Sequence, residues 1–242
     1  RSGLERSWVL ASAASPLEEL RSRRESEEDG MRIAILISQA PPIASGVARV
    51  AARLSCGFRE EDCETDLFSA ADLPRVFWGE YRFVNSLPLF YEILEHGPYD
   101  VINIHGPVPT FSDVLLILCG LNRRNLGGAR IVYNHNWDVD ISKVTAPLSG
   151  LYNVLTRILA KEADLLVTSS TTYSDTFSLF VPPRKRKVIP WGVDDRFVHP
   201  TIPTKAGRFT ILYVGQLRPY KGADILLRAA THLEECELII GA

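Results

Sequence analysis

Four short runs decide most of what this chain can fold into. They are Arg32-Ile-Ala-Ile-Leu-Ile37, Asp100-Val-Ile-Asn-Ile-His105, Arg130-Ile-Val-Tyr-Asn-His135 and Asp164-Leu-Leu-Val-Thr168. Each is nearly continuous in apolar, mostly β-branched residues. None shows the alternation of a half-exposed strand, so the runs suit a parallel sheet covered on both faces. Segments with helical spacing lie between them. Gly46 to Phe58 puts Val47, Val50, Ala51 and Leu54 on one stripe, with Ser45 as N-cap. Val84 to Glu95 ends at the stop signal His96-Gly97-Pro98, and Phe111 to Asn122, Leu148 to Glu162 and Thr171 to Leu179 follow. Asp66 to Phe68 and Val188-Ile189 read as short strands, and residues 69–82 as irregular. This alternation predicts a doubly wound parallel α/β sheet over residues 31–190.

The flanking segments read differently. Residues 1–30 are rich in Ser, Arg and Glu and are expected to form a disordered leader outside the fold. Residues 191–208 lose periodicity and carry Pro200, Pro203 and Gly207, as an interdomain linker would. Residues 209–242 then read as strand, helix and strand. Such a unit cannot bury a core of its own, so it is expected to be the incomplete start of a second domain.

Charge and cysteine usage exclude some functions. Residues 31–242 balance at 22 basic and 22 acidic residues (27−5 and 29−7), which gives no electrostatic case for nucleic-acid binding. Cys56, Cys63, Cys119 and Cys236 form no CxxC pair and read as free thiols of a reducing compartment. The longest apolar run, Val114 to Cys119, is too short to span a membrane, and residues 1–30 lack the apolar core of a secretory signal. A cytoplasmic protein is expected, with a peripheral contact at the inner membrane face as the further option. No GxGxxG follows the first strand, which disfavours a dinucleotide oxidoreductase.

The loop between Val214 and Ala223 carries Arg218 and Lys221. It leaves the carboxyl end of a strand and opens a helix, where an anion meets amide donors, a helix dipole and cations. It reads as a phosphate or diphosphate seat, against the alternative of ordinary surface charges. Asp138 and Asp140, in Trp-Asp-Val-Asp, read as part of a solvated or acceptor-facing loop. Arg184-Lys-Arg-Lys187 reads as a solvated cap, with anionic lipid as the alternative. Phe77, Trp78, Tyr81 and Phe83 form either an acceptor- or membrane-facing lip or ordinary core.

Four segments together resemble the retaining glycosyltransferases of family 4. They are the glycine loop ending Ala44-Ser45-Gly46-Val47, the strand closing on His105, Lys187-Val-Ile-Pro190-Trp191-Gly192-Val193-Asp194 with Phe197 and Pro200, and Val214-Gly215-Gln-Leu-Arg218-Pro-Tyr-Lys221-Gly222. The last two are similar to the family's "V-I-P-N-G-V-D…F…P" and "V-G-R-L-x-x-x-K-G" signatures. The resemblance covers residues 31–242 and implies a GT-B fold: a Rossmann-like, acceptor-side domain and the truncated beginning of a second, nucleotide-sugar-binding one. It implies a nucleotide-diphosphate sugar donor, an acceptor that is a saccharide, lipid-linked sugar or small molecule, and no cofactor or obligatory metal. His135 would contact the donor sugar near the reacting carbon. Gly46, Arg218 and Lys221 would approach the donor phosphates, and His105 and Gln216 would line the substrate site. Gln216 stands where the family has arginine and Trp191 where it has asparagine, which leaves Arg218 as the candidate guanidinium. The family's paired glutamates are absent from this sequence, so the chain alone is expected to be inactive. A nucleotide-sugar epimerase of the same fold and a non-catalytic binding module are the alternatives.

Overall fold

The computed structural model describes residues 30–43, 45–78, 81–139, 146–192, 209–215, 217, 221–233 and 236–241. The leader through residue 29, Ala44, Asp140, residues 193–208, Gln216 and Arg218 therefore lie outside the described residues. So do the side chains of Phe77, Trp78 and Tyr81. The chain divides into two compact units, Arg1–Trp191 and Gly192–Ala242.

In the first unit, six parallel strands form one sheet. They are β1 (Arg32–Ile37), β2 (Glu64–Ser69), β5 (Val101–Gly106), β6 (Arg130–His135), β7 (Leu165–Thr168) and β8 (Arg186–Val188), in the order β2-β1-β5-β6-β7-β8. The helices are α1 (Gly46–Glu60), α2 (Leu87–His96), α3 (Ser112–Leu121), α4 (Ala146–Leu159) and α5 (Thr171–Thr176). Strand order reverses between β1 and β5, and that switch point is where open α/β sheets take ligands.

The region read as irregular holds an antiparallel hairpin, β3 (Arg75–Trp78) against β4 (Tyr81–Val84). Val84 ends that hairpin and does not begin a helix; α2 starts at Leu87.

Both faces of the sheet are covered, which explains the unbroken apolar runs. Ile33, Ile35 and Ile37 pack with Ala51 and Val101 on the α1 side. Ala34, Leu36, Ile102, Ile104, Ile131 and Tyr133 belong to the larger core with residues of α2 and α3. Burying each such aliphatic side chain stabilises the fold by about 1.5–3 kcal/mol. Aspartates just before two strands set the edge. Asp100 Oδ2 accepts from Arg32 N at 2.8 Å, and Asp164 Oδ2 accepts from Ile131 N at 2.9 Å. Each carboxylate thereby pins the first amides of the neighbouring strand.

The second unit has two parallel strands, β9 (Phe209–Val214) and β10 (Cys236–Gly241), joined through α6 (Ala223–Ala230). Leu212 and Val214 on β9 and Ile239 and Ile240 on β10 are exposed.

Candidate functional site

β6 ends on His135, and the chain beyond it turns back to support that ring. The imidazole is 1% exposed and projects onto the larger core face, since it alternates with Tyr133 and Ile131. Phe177, Tyr173 and Tyr133 meet it edge-on with ring centroids at 4.7, 5.7 and 6.1 Å. Nε2 lies 3.2 Å from Asp138 Oδ1, and Nδ1 lies 3.5 Å from the Tyr133 hydroxyl. Asp138 Oδ2 in turn accepts from an Arg157 amino group at 2.5 Å. The Arg157 guanidinium carbon sits 5.9 Å from the Phe177 ring centroid, so one aromatic ring packs against both ends of the chain of contacts.

Electrostatics fix the roles. The Asp138 carboxyl is held below its usual range, first by the His135 hydrogen bond and further by the Arg157 charge, against the opposing effect of burial. An ionised carboxylate only accepts, so His135 Nε2–H donates to it and Nδ1 is left to accept from Tyr133. Burial pulls the His135 imidazole below its ordinary value and outweighs the attraction of Asp138. The ring is therefore a neutral imidazole of defined tautomer. Of the two readings of the Asp138 loop, solvated or acceptor-facing, a freely solvated carboxylate does not describe it: the side chain is a third exposed, yet two partners hold it. Asn153 on α4 brackets Val139, donating to its carbonyl and accepting from its amide at 2.9 Å each, which ties down the backbone just after Asp138.

His105, the penultimate residue of β5, lies beside the switch point but on the other face. It alternates with Asn103 and Val101, and Val101 belongs to the α1-side core. The structure thus does not bring His105 and His135 together. His105 is 2% exposed, neither ring nitrogen has a partner among the described residues, and burial lowers its pKa to about 4. Its register partner Asn134 donates to Asn103, so three polar side chains share this buried face.

Both imidazoles resist protonation when folded, whereas in the unfolded chain they titrate near about 6.5. Below that pH the unfolded state takes up protons first, so stability should decline as pH drops toward about 4. Denaturation midpoints at neutral and mildly acidic pH check this, and His105→Leu should flatten the profile.

Gly46 opens α1 behind the Ser45 cap, whose Oγ accepts from Ala48 N at 3.1 Å. A Cβ on Gly46 would meet nothing within 4 Å, so packing does not demand glycine there. Gly222 differs: its φ of 71° is the left-handed conformation that lets the chain turn from Lys221 into α6. No side chain among the described residues caps α6, which makes its first amides candidates for an anion, although Asp224 also lies in that first turn, paired with Arg228 at 2.6 Å. Lys221 is exposed and belongs to the second unit.

Two cations of the basic run are engaged within the protein. Lys185 donates to the Ala163 carbonyl at 3.0 Å and Arg186 to the Ser174 carbonyl at 2.5 Å. Sequence reasoning missed Arg157, Tyr133, Tyr173 and Phe177 as parts of the His135 cluster. Arg157 did carry a signal: it is the one charged residue in the fourteen of α4.

The profile of Glycosyltransferase Family 4 matches residues 44–197. D-rhamnosyltransferase WbpZ of Pseudomonas aeruginosa is 31% identical over 166 residues, covering 65% of this chain and 41% of that protein. O-antigen chain mannosyltransferase C of Escherichia coli is 28% identical over 226 residues, covering 83% of this chain and 58% of that protein. The chain thus spans about half the length of these curated relatives. Among solved structures, an alpha-glucosyltransferase in complex with UDP-glucose and DNA containing an abasic site superposes with a TM-score of 0.51 at 14% identity. That match covers 82% of this chain and 53% of the other, and it supports the fold.

Proposed function

We propose that this chain, which belongs to glycosyltransferase family 4, contributes to moving a sugar from a nucleotide-diphosphate donor to an acceptor hydroxyl with retention at the anomeric carbon. The observation that carries the reading is the His135–Asp138–Arg157 cluster at the carboxyl end of a central parallel strand, where such sheets take ligands. The relatives' names, a D-rhamnosyltransferase and an O-antigen chain mannosyltransferase, support a hexose-type donor sugar and a glycan acceptor.

In this reaction the bond from the anomeric carbon to the diphosphate oxygen breaks and a bond to the acceptor oxygen forms on the same face. The acceptor proton passes to the departing phosphate oxygen. The protein's task is to place charge-stabilising groups where the phosphate leaves and polar groups beside the ring carbon. Lys221, Arg218 and the first amides of α6 are the candidate phosphate-binding groups of the second unit, and Gly46 is that of the first. His135 and Asp138 serve the sugar, with Asp138 as the arm of the pair that solvent reaches. A sugar hydroxyl meets the carboxylate first and reaches the imidazole by taking over its hydrogen bond. Gln216 lines the substrate site in the same reading, whereas His105, buried on the other face of the sheet from His135, does not reach the sugar alongside it.

The test is His135→Ala in the full-length enzyme. Turnover should fall by about tenfold or more, with a much smaller change in nucleotide affinity. Wild-type turnover with an intact fold would return His135 to a purely structural role.

A further inference from the structure

α4 shows solvent the residues that a helix lying on a sheet normally buries. Leu148, Leu151, Val154, Leu155 and Ile158 are between 37% and 68% exposed. At about 100° per residue they fall within roughly a third of the helix circumference. The opposite side carries Ser149, Tyr152, Asn153, Thr156 and Arg157, all turned toward the protein. Gly150 is the other exposed position among the described side chains of α4. α3 packs beside it and exposes Ile117 and Leu121, at 40% and 80%. The charges on these two helices are Asp113 and Arg157, and both are directed inward.

We propose that this α3–α4 face docks on the surface of an anionic lipid bilayer, lying in the interface and not crossing it. Helix length excludes crossing: fourteen residues of α4 reach about 21 Å, and no described helix is long and apolar enough to span. Polar groups inward and apolar groups outward is the partition expected of an element whose outer solvent is hydrocarbon. A protein partner would be expected to find hydrogen-bonding groups on the face to fix its register, and the exposed side chains here offer none.

Charge at the rim supplies the second argument. α3 and α4 connect parallel strands, so both run back and end at the amino-terminal edge of the sheet. Exposed Arg124, Arg130, Lys161 and Arg184 gather at that edge. Of the acids there, Asp164 is paired with Arg123, Asp100 accepts from the Arg32 amide, and Glu162 lies 4.0 Å from Lys161. Cations bordering an apolar face match anionic headgroups above a hydrocarbon layer. The other end of α4 follows the loop bearing Asp138. Docking would therefore hold the strand edge beside the membrane, where a lipid-linked acceptor would lie; that last clause rests on the proposed glycosyl transfer, whereas the docking does not.

Flotation of the full-length protein with vesicles of phosphatidylethanolamine and phosphatidylglycerol tests the proposal. The protein should float with these vesicles and much less with pure phosphatidylcholine, and added salt should weaken the association. The double change Leu151→Glu and Leu155→Glu should reduce the floated fraction at least about tenfold while leaving the melting temperature nearly unchanged, because both sites are exposed. Should that variant fail to fold, Leu151→Trp serves instead: its added fluorescence should be quenched by brominated lipid in the same vesicles. Absence of flotation, equal flotation on phosphatidylcholine, or a Trp signal untouched by brominated lipid would overturn the proposal. Self-association that is lost in the double variant, without vesicle binding, would make the face an interface between copies and overturn it equally.

Discussion

Asp138→Ala should cost the protein about 3 kcal/mol of folding stability, the lower end of what breaking a buried ion pair costs. The reason lies in what remains. Arg157 has a side chain only 15% exposed, and its Nε has no partner among the described residues. Without Asp138 the guanidinium stays buried beside Phe177 with its countercharge gone, and His135 Nε2–H loses its acceptor. The lower end applies because Asp138 itself is a third exposed. For a unit of this size the loss corresponds to a fall in Tm of about 6–12 °C. Adding Arg157→Met to Asp138→Ala should recover much of that loss, since an uncharged side chain of similar length needs no partner. Thermal or urea denaturation of the three variants reads this directly. A cost below about 0.5 kcal/mol for Asp138→Ala would show that the contact contributes little and that the loop is free to move.

Lys221→Ala should lower turnover of the full-length enzyme by roughly one to two decades at subsaturating donor. A charge-assisted contact to phosphate is worth about 1.5–3 kcal/mol, and each ~1.4 kcal/mol is a decade in rate. Lys221 directly precedes Gly222, whose left-handed φ fixes how the loop enters α6, so the lysine is carried at the start of that helix. Arg218→Ala should cost less. Gln216→Arg should do little alone but partly rescue Arg218→Ala if both supply one guanidinium position. Steady-state kinetics on the four variants separates a shared phosphate seat from unrelated loop charges. Equal rates for the parent, Lys221→Ala and Arg218→Ala would dismiss the seat.

What could be read from the sequence follows a physical divide. β1 and β6 were legible to the residue because buried parallel strands are written as continuous apolar runs, and their neighbours set no ambiguity of face. The β3–β4 hairpin was missed because Pro74 and Gly79 punctuate a stretch too short for either strand to show a period, and pairing is made between the strands, not within them. The His135 cluster was half legible. A histidine closing a strand points to the ligand edge, but Arg157 and Phe177 reach it only once α4 and α5 are folded over the sheet. The apolar stripe of α4 shows the limit of periodicity most clearly. Spacing alone reveals that Leu148, Leu151 and Leu155 share a side; it does not say that this side faces outward, which depends on Ser149, Asn153 and Arg157 finding partners within the protein.

Retaining transfer from a nucleotide-diphosphate sugar fixes the anomeric configuration of the product. The full-length protein is incubated with α-configured nucleotide sugars and a saccharide or lipid-linked acceptor, and the new linkage is read from its one-bond carbon–proton coupling by NMR. An α-linked product should form in step with free nucleoside diphosphate. A β-linked product, or a rearranged sugar still attached to its nucleotide, would contradict retaining transfer.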